Sequence, residues 1–86
     1  MGAMSDVHLD PARTVIAKVG GVNAVAMITG KSLTRVYRWM YSQSRGGTGG
    51  FIPQKDAAKL LAHAKANRIK LSPADFFPAE ERGAVA

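Results

Sequence analysis

Residues 22–41 read VNAVAMITGKSLTRVYRWMY, and the rest of the chain is organised around them. In the first half Val22, Ala24, Val25, Ala26 and Ile28 are small or apolar. Gly30 then marks a tight turn, where a backbone without a Cβ bends at least cost. In the second half Leu33, Val36, Trp39 and Met40 recur at helical spacing and form one apolar stripe. Thr34, Arg35, Arg38 and Tyr41 fall on the other side, which offers hydroxyls and guanidinium groups but no acid. The pattern predicts two short helices packed across the turn, the second with a basic outer face.

The flanking sequence extends the helical reading in both directions. Asp10-Pro11 is a helix-start signal, because Asp can cap and Pro suits the first helical position. Val15, Ile16 and Val19 give the next helix an apolar face, and Gly20-Gly21 ends it, so helix one is expected over 11–19. Helix two is expected over 22–29. Helix three, with Ser32 as its N-cap, is expected over 32–44. The run Gly46-Gly47-Thr48-Gly49-Gly50 is too costly in backbone entropy to be helical, so a loop or tight turn follows, with a short flanking strand pair as an alternative. Pro53 opens helix four. Ala57, Leu60, Leu61 and Ala64 turn to its core, Lys55, Lys59 and Lys65 to water, and Asn67 is the expected left-handed cap. Ser72-Pro73-Ala74-Asp75 has the form of a capping box before a single turn carrying Phe76 and Phe77. Mobile ends are expected over 1–9, where Gly2-Ala3-Met4 reads as a cloning remnant, and over 79–86. The ordered domain is expected over 10–78.

Composition narrows the functional classes. The 86 residues allow one small domain with a modest core. There is no cysteine, hence no disulfide framework and no thiolate chemistry. No apolar run approaches the roughly 18 residues of a membrane span, and no secretory leader opens the chain, so a cytoplasmic protein is expected. Net charge is +6, and its placement is informative. Lys31, Arg35, Arg38, Arg45, Lys55, Lys59, Lys65, Arg68 and Lys70 crowd the middle of the chain against Asp56 alone. A basic centre of this kind favours a polyanionic partner, beside the plain alternative of a solvated surface.

The stretch 22–41 resembles the helix-turn-helix of the phage Cro/cI repressor class. Ala26 stands where that pattern has a small residue in the first helix, Gly30 stands at the turn, and Val36 and Trp39 stand at the positions that plug the core. Thr29 and Lys31 stand where the class usually has aliphatic residues. The wider order of Gly20-Gly21, Ala24-Val25-Ala26, Ile52-Pro53, Leu60-Leu61 and Leu71-Ser72-Pro73-Ala74-Asp75-Phe76 is similar to the YdaS-like and carph-isopro group of small prophage-type regulators. The resemblance implies an all-α fold, a four- to five-helix bundle of the lambda-repressor-like type. It implies sequence-specific binding of double-stranded DNA by a transcriptional regulator, a repressor by expectation, acting as a homodimer on an inverted repeat. No cofactor or metal is implied.

The same resemblance assigns base contacts to Ser32, Leu33, Thr34, Tyr37, Arg38 and Tyr41. Lys31, Arg35 and Arg45 are placed for phosphates, with Asn23, Ser42, Thr48 and Lys55 as further phosphate candidates. Several of these residues have a second reading. The Ser32 hydroxyl can serve a base or the helix cap. Leu33 can meet a thymine methyl or pack inward with Val36. Arg38 can present two donors to guanine O6 and N7, or clamp a phosphate. The glycine loop is a surface connector, or a set of bare N–H groups that approach phosphates beside Arg45 and Thr48.

Enzymatic readings lack parts. Gly30-Lys31-Ser32 mimics the end of a phosphate-binding loop, but Val25 occupies the position of the required earlier glycine and a helix precedes it. His8 and His63 have no second ligand or acid at a useful spacing. The serious rival is a protein-interaction module, an antitoxin or adaptor, using Phe51, Phe76 and Phe77 as an exposed patch. RNA binding is weaker, since three scattered phenylalanines make no stacking platform.

Overall fold

The structure is a computed structural model and describes residues 8–77. Most of both ends expected to be mobile therefore lies outside the described residues, as does Pro78. The architecture is all-α: helices α1 (Ala12–Val19), α2 (Val22–Thr29), α3 (Leu33–Arg38) and α4 (Gln54–Ala66), with 3-10 turns at Gln43–Arg45 and Pro73–Phe76. No strand forms among the described residues, so the strand pair considered around the glycines is replaced by a loop.

Local signals account for most helix boundaries. Asp10 stands just before α1 and accepts hydrogen bonds from the Thr14 N–H at 3.0 Å and the Thr14 hydroxyl at 2.6 Å. The Gly21 N–H closes α1 by donating to the Ile16 carbonyl at 2.8 Å. Gly30 is left-handed, and its N–H donates to the Ala26 carbonyl at 2.9 Å. Pro53 immediately precedes α4. Ser72 and Asp75 form the capping box expected of them, with the Ser72 N–H donating to Asp75 Oδ2 at 2.8 Å. At the end of α4 the left-handed residue is Arg68, with φ 57°, instead of Asn67. The Asn67 side chain donates to the His63 carbonyl, and the Ile69 N–H reaches back to the Ala64 carbonyl, so closure falls one residue later than expected.

α2 lies at the centre, packed against α1, α3 and α4. Val15 and Ile16 of α1, Val25 of α2, Val36 with Trp39 and Met40, and Leu60 of α4 form the core. Val25 is fully buried, whereas Ala26, the small residue of the expected close crossing, is half-buried at the core's edge. Thr29 is buried without an unmet hydroxyl, because that group donates to the Val25 carbonyl at 2.8 Å. Lys59 reaches from α4 to the Thr29 carbonyl at 3.3 Å, placing a cation at the negative end of α2.

α3 is the main departure. It was expected over 32–44 and ends at Arg38. The N–H groups of Trp39, Met40 and Tyr41 turn to carbonyls three residues back, which tightens the last turn. The carbonyls of Arg38 and Tyr41, which a continuing helix would give to Ser42 and Arg45, instead accept from Thr48 at 3.0 Å and Gly49 at 2.8 Å. The loop thus folds back and caps the helix. Gly47 makes this possible: a Cβ there would lie 2.5 Å from the Arg38 carbonyl oxygen and closer still to that of Tyr41.

Candidate nucleic-acid interface

The α3 face is built from its first residue. The Ser32 hydroxyl accepts from the Arg35 N–H at 3.2 Å, so of its two readings the structure has the cap. Val36 points inward, together with Trp39 and Met40 just beyond the helix. Leu33, expected in the same stripe, is 46% exposed, so its inward reading is overturned. Leu33 is the first residue of a six-residue helix of less than two turns, so the stripe it would share with Val36 is too short to bury it.

Thr34, Arg35 and Arg38 are exposed. The Arg35 and Arg38 side chains make no ion pair or hydrogen bond among the described residues. Tyr37 is 38% exposed. Tyr41 is half-buried, with the His8 ring 6.1 Å away on one side and the Arg45 guanidinium 5.7 Å above its ring. His8 lies equally close to Tyr37, so the segment leading into α1 crosses this end of the face. The Leu9 N–H fixes that crossing by donating to the Met40 carbonyl at 2.8 Å.

The residues assigned to phosphates divide into two groups. Asn23, in the first turn of α2, Lys55, in the first turn of α4, and Arg45 are exposed. Ser42 is half-buried, its hydroxyl 3.0 Å from that of Ser44. The Thr48 hydroxyl is engaged internally with the Trp39 carbonyl at 3.1 Å and with the carbonyl of Phe51. Lys31 is 32% exposed, with its ammonium 3.6 Å from Asp56 Oδ1. Lys31, Arg35, Arg38, Thr48 and the backbone of Gly46 and Gly47 line one open pocket of about 250 Å³, with Asp56 also in its wall. Thus the loop residues do come beside the arginines, but their polar atoms largely serve the fold.

Asp56, which the sequence marks only as the lone acid of the basic centre, is buried beside that face. Its side chain is 3% exposed, and Oδ1 makes no hydrogen bond among the described residues, so the contact with Lys31 is Coulombic. A buried carboxylate needs a compensating cation, and this one holds the turn residue between α2 and α3. The signal was legible, since Asp56, Leu60 and Ala64 share one helical stripe. The His8 contacts have no comparable sequence signal.

Two carboxyls, those of Asp10 and Asp75, are shifted. The Thr14 hydroxyl, followed by Arg13, holds Asp10 below the usual carboxylate range. The Ser72 N–H, followed by Lys18 with its ammonium 3.4 Å away, does the same for Asp75.

No helix among the described residues is long and apolar enough to cross a membrane. No protein-family model, no curated protein and no solved structure matches the chain.

Proposed function

We propose that the chain is a sequence-specific double-stranded DNA-binding regulator that lays the outer face of α3 in the major groove. One observation carries this reading: Arg35 and Arg38 project from a helix clamped at both ends and have no acid paired to them among the described residues. Exposed guanidinium groups with no paired acid suit an anionic partner that can take two parallel hydrogen bonds. Arg38 reads guanine O6 and N7, worth about 1–3 kcal/mol of discrimination. Thr34, Leu33 and Tyr37 flank it, offering a hydroxyl and apolar surface to base edges. Arg35, Arg45, Asn23 and Lys55 serve phosphates, while Lys31 is held back by Asp56. The regulator acts in the cytoplasm as a repressor by occupying its site, as a binding protein and not an enzyme.

Selection from a pool of random duplexes, followed by a salt titration on the selected site, tests the reading. With three phosphates neutralised per copy, log affinity against log salt falls with a slope of about −2.7. Failure to enrich any duplex, with affinity indifferent to salt, would remove DNA as the partner.

A protein-docking role has its own support, an apolar groove beside Phe51, Phe76 and Phe77. That groove shares no lining residue with the pocket of Arg35 and Arg38, so the two roles are compatible.

A further inference from the structure

Beside its arginines, α3 exposes two apolar side chains, Leu33 at 46% and Tyr37 at 38%. An exposed leucine alone is ordinary, but these two stand one turn apart on the same helix and so lie one above the other. With about 100° between successive residues, the outer face divides lengthwise. Val36 points to the core, Thr34 and Arg38 stand opposite it, Arg35 forms one flank, and Leu33 with Tyr37 forms the other. The cationic flank lines the pocket that Arg35 shares with Lys31 and Arg38, and neither Leu33 nor Tyr37 lines that pocket. On the apolar flank the His8 ring lies 6.1 Å from that of Tyr37, a neighbour that limits where the tyrosine can swing.

We propose that Leu33 and Tyr37 read the C5-methyl group of a pyrimidine, thymine or 5-methylcytosine, next to the guanine taken by Arg38. The inference rests on the DNA-binding reading and names what the same face recognises beyond guanine. Chemistry is the first argument. The major-groove edge of a base pair offers hydrogen-bond donors and acceptors and one apolar group, the C5-methyl of thymine. Cytosine gains the same group when it is methylated at C5. A leucine side chain can serve no donor or acceptor, so the methyl is the feature of that edge that it fits. Phosphates suit the Arg35 flank and offer nothing to the apolar one. Geometry is the second argument. Tyr37 adjoins Arg38 in the chain, and Leu33 lies one turn back, about 6 Å along the axis, a span of roughly two base-pair steps of 3.4 Å. The methyl is therefore sought in the steps beside the guanine. Removing a methyl from water contributes about as much as burying one methylene, which is roughly fourfold in affinity. A face that reads this group senses the methylation state of cytosine as well as base sequence, so modification of the DNA regulates occupancy of the site.

Selection from random duplexes, run in parallel on an unmodified pool and on one with 5-methylcytosine in place of cytosine, supplies the sites. Each C5-methyl of a selected site is then removed in turn, uracil replacing thymine and cytosine replacing 5-methylcytosine, and fluorescence anisotropy reads the affinity. The expected result is a loss of roughly fourfold at a position next to the guanine whose preference Arg38→Ala abolishes. Leu33→Ala or Tyr37→Ala makes that position indifferent to its methyl, while sensitivity to the guanine remains. Both side chains are exposed, and circular dichroism verifies that the variants keep their helices. The pool that yields the tighter site tells thymine from 5-methylcytosine as the source of the group. Wild-type binding indifferent to every methyl, or a methyl effect that survives both substitutions, overturns the proposal and leaves the DNA reading standing. If neither pool yields a bound duplex, the DNA reading itself fails and this inference falls with it.

Discussion

Replacing Gly47 by alanine tests whether the glycine loop is the clamp of α3 or a passive connector. The new methyl would sit 2.5 Å from both the Arg38 carbonyl oxygen and Tyr41 Cβ, well inside van der Waals contact. All three of the nearest atoms are backbone oxygens or Cβ and cannot swing away, so the loop must lift. Lifting it releases the Thr48 and Gly49 N–H groups from the carbonyls of Arg38 and Tyr41, and the Thr48 hydroxyl from that of Trp39. At about 1 kcal/mol per hydrogen bond the loss is about 3 kcal/mol, within the range for overpacking. In a domain of this size that lowers the melting temperature by roughly 12–24 °C. Gly46→Ala is the control. Nothing lies within 4 Å of its added methyl, so it bears only the left-handed backbone penalty at φ 83°, about 1–2 kcal/mol. Urea unfolding of both variants, compared at constant m-value, reads the difference. Equal losses would refute the clamp and return the loop to a tolerated linker.

Three further outcomes follow from the charged groups and from α4. Lys31→Met leaves the buried Asp56 carboxylate without its cation and costs about 3 kcal/mol, the low end for a broken buried pair because Arg35 and Arg38 line the same pocket. Asp56→Asn costs less, since Lys31 is already a third exposed; urea unfolding showing the opposite order would contradict the assigned burial. Asp10 and Asp75 have carboxyls depressed in the fold, so their stabilising contribution is complete above about pH 4, where the unfolded chain's carboxyls ionise, and is lost as pH falls through their folded values. Asp75→Asn should therefore lower stability at neutral pH and flatten the acid limb of unfolding midpoint against pH; an unchanged profile would count against its link to Ser72 and Lys18. Leu60→Ala, at a fully buried position, should cost about 2–5 kcal/mol by thermal or urea unfolding, and a loss under 1 kcal/mol would mean that α4 is not packed as described.

The parts of the fold legible in the sequence are those fixed by neighbours a few residues away. Gly30 after α2, Ser32 before α3 and the Ser72–Asp75 box each act through hydrogen bonds spanning five residues or fewer, and each falls where its residue type predicts, whereas α1 starts one residue later than Asp10-Pro11 predicts, with Pro11 at its cap position. The end of α3 is different. It is set by backbone donors arriving from Thr48 and Gly49, and helical spacing from Trp39 onward gives no sign of them. The shift from Asn67 to Arg68 reflects how weakly composition specifies which residue turns left-handed. On the α3 face, exposure of Arg35 and Arg38 could be read from spacing. The pairing of Lys31 with Asp56, and the approach of His8 to Tyr37 and Tyr41, depend on tertiary contacts and could not.

The claim that the α3 face reads DNA is tested most directly through Arg38. Fluorescence anisotropy would compare wild type and Arg38→Ala on a selected duplex and on a panel in which each base pair is replaced in turn. The account predicts that the variant loses about 1–3 kcal/mol on the selected site and becomes indifferent to replacement at one G·C pair, while keeping its discrimination elsewhere. Uniform weakening across the panel would reduce Arg38 to a backbone contact, and unchanged binding would contradict the use of this face altogether.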